Sequence, residues 1–158
     1  MKSILDIPPL WLLFAILIAW VQARFAPMGL SLASGATDLM AGVFIGGGVL
    51  LIALAALEFR RARTTILPHQ VPAKLITGGI FARSRNPIYL GDAFILLGFV
   101  LRFDAVLSLV LVPIFIWWIE RHFIIPEEDR MRRTFRSEFA RYEQKEFARY
   151  EQKVRRWV

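Results

Sequence analysis

The stretch LMAGVFIGGGVLLIALAAL occupies residues 39–57 and contains no charged residue. An α-helix rises about 1.5 Å per residue, so about 20 apolar residues cross a bilayer hydrocarbon core about 30 Å thick. Residues 7–23 also carry no charge, whereas the apolar segments 86–101 and 105–119 are shorter and are separated by a charged turn. The sequence therefore predicts an all-α integral membrane protein with about four transmembrane helices, the last two forming a short hairpin. The alternative is that this last pair only dips into the membrane.

The composition is that of a membrane protein rather than a soluble domain. Of the 158 residues, 56% are hydrophobic, and the mean hydropathy is +0.49, whereas soluble domains are about 45–50% apolar. Cysteine is absent, which excludes disulfides and thiol chemistry. The two histidines, His69 and His122, have no cluster of further metal ligands beside them in the sequence, so no metal site is expected.

The net charge of +7 is distributed unevenly along the chain. Residues 58–87 contain six Lys or Arg residues and one acid, Glu58, and residues 120–158 contain eleven Lys or Arg residues. The loop after the first span carries only Arg24 and Asp38. Under the positive-inside rule both termini, the 58–87 loop and a C-terminal helix lie in the cytoplasm. We therefore expect a multi-pass protein of a bacterial inner membrane, with membrane lipids rather than nucleic acid as its partners.

The first apolar segment has a second interpretation as a signal peptide. The residues VQA at positions 21–23 loosely fit a cleavage site. However, the segment is preceded only by the charges of Lys2 and Asp6, and three further apolar segments follow it. A retained transmembrane helix is therefore predicted.

Small and charged residues inside the spans each allow two interpretations. Gly42 and the glycine triplet at residues 46–48 permit either close approach of a neighbouring helix or a groove for a cofactor. Asp92 lies about one turn inside the third span and is a functional candidate, because a carboxylate within a membrane is costly. Alternatively, Asp92 pairs with Arg85 or reaches the nearby interface.

The 58–87 loop and the start of the third span form the first site-like region. Its prolines and glycines exclude a single helix. The turn TGGIF at residues 77–81 is followed by RSRNPIYLG at residues 83–91, which places Pro87 in the first turn of the span. Unbonded N–H groups and the helix dipole suit an anionic group there. The flanking arginines alternatively mark only the cytoplasmic side or contact lipid headgroups.

The second site-like region lies where the fourth span ends. Pro126 is expected to kink or restart the helix, and three acids, Glu127, Glu128 and Asp129, follow it in a basic protein. They suggest a cationic group held nearby. The alternative is a set of salt bridges to the arginines at positions 130, 132 and 133.

The tail contains a perfect repeat, because EFARYEQK at residues 138–145 recurs unchanged at residues 146–153. Two copies are too few for a solenoid, which needs at least about three. Eight residues advance a helix by about 12 Å and rotate it by about 80°, so the second copy cannot occupy the environment of the first. One copy is therefore expected to be spare.

Taken together, these motifs resemble a known family. The segments TGGIF (77–81) and SRNPIYLG (84–91), the pair Glu127 and Glu128, and the series Phe135, Phe139, Tyr142 and VRRW (154–157) are similar in order and spacing to membrane methyltransferases related to isoprenylcysteine carboxyl methyltransferase and phospholipid N-methyltransferase. The likeness covers roughly residues 40–158. Arg136 stands where the family usually has Gly, Phe139 replaces a Tyr, and the repeat interrupts the tail, which puts the tail's contribution in doubt.

The resemblance implies a single membrane domain, residues 1–158, in which the 58–87 loop and the 120–158 tail enclose S-adenosylmethionine at the cytoplasmic face. A lipophilic acceptor would arrive laterally from the bilayer. Arg85 suits the cofactor carboxylate, and Glu127, Glu128 and the Tyr89 ring suit its cations. The implied catalytic residues are Arg85, Tyr89 and Glu128. The implied cofactor residues are Leu75, Ile76, Thr77, Gly78, Gly79, Ile80, Phe81, Arg85, Asn86, Pro87, Tyr89, Glu127 and Glu128.

Two other functions remain compatible with the sequence. Reductases of the sterol-reductase type carry a similar Arg-His-Pro-x-Tyr element and bind NADPH, but they are longer and have more spans. A non-catalytic small membrane protein that retains the fold is the third possibility. Hydrophobic composition does not distinguish a prenyl chain from an acyl chain or a small volatile molecule as the acceptor.

Overall fold

The computed structural model describes residues 7–63, 76 and 78–137, and the regular structure within these residues is helical. The 3₁₀ turns Gly79–Ala82 and Val106–Val110 precede the third and fourth α-helices, and a π-helical turn, Glu120–Ile124, joins the fourth to the fifth. The predicted all-α class is confirmed. The five α-helices are α1 (Pro8–Phe25), α2 (Gly35–Arg61), α3 (Pro87–Arg102), α4 (Leu111–Ile119) and α5 (Ile125–Ser137).

Three helical stretches among the described residues are long and apolar enough to cross a membrane: Pro8–Phe25, Gly35–Arg61 and Val106–Arg130. The predicted membrane fold is therefore confirmed. Helix α3 has 16 residues, or about 24 Å of axial length, which is shorter than a hydrocarbon core of about 30 Å. The two predicted short segments thus differ, because the second one continues past its predicted end at residue 119, through the π-helical turn and into α5.

The ends of α1 follow from its sequence. Pro8 and Pro9 occupy the first turn, where a missing N–H costs little because it would have no helical acceptor. At the other end, the Ala26 N–H donates to the Gln22 carbonyl at 2.8 Å, and the Gln22 side-chain amide donates to the Ala26 carbonyl at 2.9 Å. These two hydrogen bonds cap the C-terminus of α1 before the loop that leads to α2.

The chain divides into two compact units. One unit comprises Met1–Leu50 and Tyr89–Ile119, and the other comprises Leu51–Ile88 and Glu120–Val158. The first unit contains α1, the first part of α2, most of α3, and α4. The second unit contains the end of α2, the turn Gly79–Ala82, the residues that lead into α3, and α5.

Close packing of α2 against α3 holds the first unit together and explains part of the glycine pattern. A Cβ atom at Gly48 would lie 2.5 Å from the Gly91 carbonyl oxygen, and one at Gly98 would lie 2.9 Å from the Ala41 carbonyl oxygen. Such a separation excludes a side chain, so both positions require glycine. At Gly42 and Gly46 an added Cβ would meet nothing within 4 Å. The helix-packing interpretation therefore holds for Gly48.

Apolar side chains on α1 and α2 point away from the protein rather than into a core. Leu13, Phe14, Leu39 and Val43 are each more than half exposed. A soluble protein rarely exposes a continuous apolar surface of this kind, whereas a membrane protein presents it to lipid. Trp11 of α1 packs against Trp118 of α4 with ring centroids 4.9 Å apart, so the two helices meet through aromatic contacts.

A polar cluster joins the loop before α2 to the residues that follow α3. Asp104 follows α3 with a positive φ of 54°, in the left-handed region that Asp tolerates better than most residues. Its carboxylate accepts hydrogen bonds from the Ser31 hydroxyl and from the Leu32 N–H, the latter at 2.7 Å. The Ser31 hydroxyl, and then the Leu32 amide, lower the pKa of Asp104. Arg102 and Asp38 form an ion pair beside it at 3.4 Å.

Candidate active site

The second unit brings Arg85 and Glu128 together. Nη1 of Arg85 lies 3.5 Å from Oε1 of Glu128, and the two side chains are 14% and 4% exposed. Both residues were predicted to belong to the site, from motifs far apart in the sequence. A charge-assisted contact of this kind is stronger when it is shielded from water, and a buried charge that loses its partner is costly. The two side chains are therefore expected to stay paired in the folded unit.

The two neighbouring acids of the tail lie in different environments. Glu128 is buried, whereas Glu127 is half-buried. Successive residues of a helix point about 100° apart, so only one of two adjacent side chains can face the same neighbour. The π-helical turn Glu120–Ile124 precedes this segment, and π-helical turns occur frequently at functional sites. The sequence had treated the two acids as equivalent, and the structure distinguishes them.

A third carboxylate, that of Glu58, lies against the predicted glycine turn. Gly79 has a φ of +57°, and a Cβ there would lie 2.6 Å from the carboxyl carbon of Glu58. The Glu58 side chain is 18% exposed, and its Oε1 accepts a hydrogen bond from Nη1 of Arg61 at 2.9 Å. The sequence analysis had counted Glu58 only as a charge. Its position as the single acid among six basic residues, just before a loop with paired glycines, was the signal that could have found it.

Aromatic packing fixes the turn that follows Gly79. The rings of Phe59 and Phe81 meet edge to face with centroids 5.5 Å apart, and Phe81 is buried. Because Phe59 is next to Glu58 in α2, this contact connects the end of α2 to the turn Gly79–Ala82. Ile80, also predicted, is half-buried, and Gly78 is exposed.

The residues between this turn and α3 are held by backbone hydrogen bonds. The Ser84 N–H donates to the Ile80 carbonyl at 3.2 Å, and the buried Ser84 hydroxyl accepts from the Asn86 N–H at 3.2 Å. Pro87 follows at the first position of α3 and is fully buried. The Asn86 N–H is therefore bonded within the protein, and the unbonded amides expected in the first turn of α3 stay a prediction.

The remaining predicted residues lie elsewhere or outside the described residues. Tyr89 is buried in α3 and belongs to the first unit. Ile76 is half-buried. Leu75 and Thr77 lie outside the described residues, as does the repeated segment 138–153.

Asp92, the candidate within the third span, is 3% exposed. Its Oδ2 atom is buried and has no hydrogen-bond partner among the residues that the structure describes. The suggested alternatives were pairing with Arg85 and exposure at the interface. The burial of Asp92 argues against exposure at the interface, and its pairing with Arg85 stays a prediction.

Comparison with known proteins identifies the family. The family model described as phospholipid methyltransferase matches residues 36–138, a range that contains α2 except its first residue, all of α3, α4 and α5, and the predicted site residues. Searches of curated proteins and of solved structures gave no significant match. Because the family match covers well over half of the chain, this protein belongs to the phospholipid methyltransferase family, which comprises membrane methyltransferases that act on lipid-like substrates.

Proposed function

We propose that the protein transfers a methyl group from S-adenosylmethionine to a lipophilic acceptor at the cytoplasmic face of the membrane. The observation that carries the proposal is the buried ion pair between Arg85 and Glu128, which lies within the family match. Two motifs predicted to bind one cofactor thus meet in one unit of the fold.

The charges of this unit fit the cofactor. S-adenosylmethionine carries a carboxylate, an ammonium and a sulfonium. Arg85 has the planar donor geometry that binds a carboxylate with two hydrogen bonds, while Glu128 and Glu58 supply negative charge for cations. An ion pair and an amino-acid zwitterion carry the same two charges. Contacts within the protein can therefore be exchanged for contacts with the cofactor, without leaving a buried charge unpaired.

Close backbone approach is available beside these charges. Gly79 presents its backbone to Glu58 in a conformation and at a distance that exclude a side chain without rearrangement. A ligand group can occupy the space that a Cβ would fill, as in other glycine turns that approach ligands. The packed rings of Phe59 and Phe81 give the same turn an apolar wall.

When bound, S-adenosylmethionine supplies a methyl group activated by its positively charged sulfur. The task of the protein is then to hold donor and acceptor in line and to exclude water. In this proposal Arg85 and Glu128 orient the cofactor. The acceptor enters from the surrounding lipid.

Calorimetric titration of the full chain in lipid nanodiscs tests the proposal. We expect saturable binding of S-adenosylmethionine and no saturable binding of NADPH. Binding of NADPH alone would support a reductase, and binding of neither would support a non-catalytic protein. Either result would overturn the proposed function.

The proposed orientation has its own test, which is simplified by the absence of cysteine. Ser34 and Arg83 are both exposed, and in the proposed orientation Ser34 lies outside and Arg83 in the cytoplasm. A membrane-impermeant thiol reagent added to intact cells should label Ser34→Cys and not Arg83→Cys. The reverse pattern would place the site on the outer face.

A further inference from the structure

The second unit presents only positive charge on its described surface. Its acids are buried or half-buried, and they are Glu58, Glu120, Glu127, Glu128 and Asp129. Its exposed charged side chains, among the described residues, are all arginines: Arg60, Arg61, Arg63, Arg83, Arg121 and Arg133. In the described part of the first unit, by contrast, the exposed Asp38 pairs with Arg102 and leaves only Arg24 as a further exposed charge. An excess of exposed positive charge is therefore specific to the second unit.

The segments that carry these arginines contact one another. The edge-to-face contact of Phe59 with Phe81 joins the end of α2, where Arg60 lies, to the turn that precedes Arg83. The buried ion pair of the candidate site joins the residues after that turn to α5. The exposed positive charges therefore belong to one packed unit rather than to separate loops.

Three of these arginines are not balanced by an acid within the described part of the chain. Arg61 contacts Glu58 at 2.9 Å. Arg60, Arg83 and Arg121, however, form no ion pair with any residue that the structure describes. Positive charge that is not balanced within a protein attracts anions from its surroundings.

The position of the arginines along α2 indicates which anions they meet. The uncharged residues 39–57 extend about 28 Å as a helix, close to the thickness of a hydrocarbon core of about 30 Å. Arg60 and Arg61 follow three and four residues later, about 4.5–6 Å further along the axis, and the headgroup layer is about 5–7.5 Å thick on each side. Arg121 likewise follows the apolar segment 105–119 by two residues, within the stretch Val106–Arg130. These guanidinium groups therefore lie at the depth of lipid phosphates.

We propose that the exposed arginines of the second unit bind the phosphate groups of anionic phospholipids in the leaflet that they face. This inference does not depend on methyl transfer. A guanidinium group binds phosphate with two parallel hydrogen bonds, and each basic residue near an anionic membrane surface contributes about fivefold in affinity. A choline headgroup carries its own cation, which offsets the charge of its phosphate, so the arginines distinguish anionic lipids from zwitterionic ones.

The lipids that stay bound to the protein test the proposal. The full chain is placed in nanodiscs of phosphatidylglycerol and phosphatidylcholine, in equal amounts and with identical acyl chains, and native mass spectrometry counts the lipids that it retains on release. We expect the wild-type protein to retain at least about fivefold more phosphatidylglycerol than phosphatidylcholine. Raising the ionic strength from about 0.1 M to about 1 M shortens the screening length from about 10 Å to about 3 Å, so this enrichment should fall at least about twofold.

Two matched double variants locate the binding. Arg60→Gln combined with Arg83→Gln removes two exposed charges of the second unit and should lower the enrichment at least about fivefold. Arg24→Gln combined with Arg102→Gln removes two exposed charges of the first unit and should leave the enrichment unchanged. Arg60→Lys combined with Arg83→Lys keeps the charge and should retain most of the enrichment. Helicity measured by circular dichroism verifies that each variant is folded.

Each contrary result overturns the proposal. Equal retention of the two lipids by the wild type, or an enrichment that does not respond to salt, would show that the arginines do not select anionic headgroups, even if a variant fails to fold. An equal loss of enrichment in the two glutamine variants would show that net charge, and not the second unit, is responsible. Displacement of phosphatidylglycerol by an equal concentration of glycerol phosphate, or by a single-stranded oligonucleotide at the same phosphate concentration, would indicate a site for a soluble anion or a nucleic acid instead.

Discussion

Two ion pairs in this protein have nearly equal lengths, but they differ in exposure to water and therefore in their expected contribution to stability. Arg85 and Glu128 are 3.5 Å apart with side chains 14% and 4% exposed, whereas Arg102 and Asp38 are 3.4 Å apart with both side chains 64% exposed. Water screens the second pair, so it contributes about 0–1 kcal/mol. The first pair has little water around it, and removing one member leaves a buried charge. Exposure, rather than distance, identifies the pair that belongs to the candidate site.

The largest expected effect is that of Glu128→Gln, which removes the carboxylate that lies beside the buried Arg85 guanidinium. Removing one partner of a buried pair costs about 3–5 kcal/mol of stability, and we expect the affinity for S-adenosylmethionine to fall at least tenfold. Calorimetry and thermal unfolding measure the two effects. Glu127→Gln is the matched control because Glu127 is the neighbouring acid and is only half-buried. This variant should lower both the stability and the affinity for S-adenosylmethionine by less than Glu128→Gln does.

A double variant separates stability from binding. Arg85→Met combined with Glu128→Met replaces the pair by apolar side chains, a change that is often neutral or stabilising for a buried pair. This variant should recover the stability lost in Glu128→Gln but should not bind the cofactor. Cofactor binding at the wild-type level would show that the pair is structural and lies outside the site.

The next effect concerns the turn that faces Glu58. Gly79→Ala places a Cβ in a left-handed conformation, which costs about 1–2 kcal/mol, and the new atom displaces the Glu58 carboxylate. We expect lower thermal stability and several-fold weaker cofactor binding. Gly35→Ala is the control, because Gly35 lies outside the candidate site and a Cβ there meets nothing within 4 Å. Equal binding by the two variants would remove Glu58 from the site.

A smaller effect is expected at the exposed pair. Asp38→Asn should change stability by less than about 1 kcal/mol, because both partners are largely in water. Raising the salt concentration should shrink the difference further. A loss as large as that of Glu128→Gln would contradict the distinction drawn from exposure.

The smallest effect is the pH dependence of the Asp104 cluster. The Ser31 and Leu32 hydrogen bonds lower the pKa of Asp104 in the folded state, so its stabilising contribution is present above the unfolded pKa, about 3.9. That contribution is lost as the pH falls through the lowered folded value. The difference in unfolding temperature between the wild type and Asp104→Asn should be constant from about pH 5 to 7 and should shrink below about pH 4. If the difference in unfolding temperature between the two proteins does not change with pH, the stabilising role of the Asp104 carboxylate is contradicted.

The sequence was sufficient for the helical class, the membrane location and the positions of the apolar helices, of which three among the described residues, and not the predicted four, are long and apolar enough to cross a membrane. These depend on the length and apolar content of continuous segments, which are properties of the chain itself. The family motifs could also be recognised from residue order alone. The sequence analysis also ended the last apolar segment at residue 119, whereas the helical stretch continues through Val106–Arg130, because the charged residues Glu120 and Arg121 end the apolar run without ending the helix.

The tertiary structure decided which residues of those motifs act together. Glu127 and Glu128 are the same residue type, but they point in different directions from the helix, so Glu128 is buried and Glu127 is partly exposed. Glu58 became a candidate site residue only because the structure shows its carboxyl group against Gly79. Among the glycines of α2, Gly48 lies at a helix contact, while Gly42 meets no neighbour. Burial and pairing depend on which surfaces meet, and that depends on contacts between residues distant in sequence rather than on local pattern.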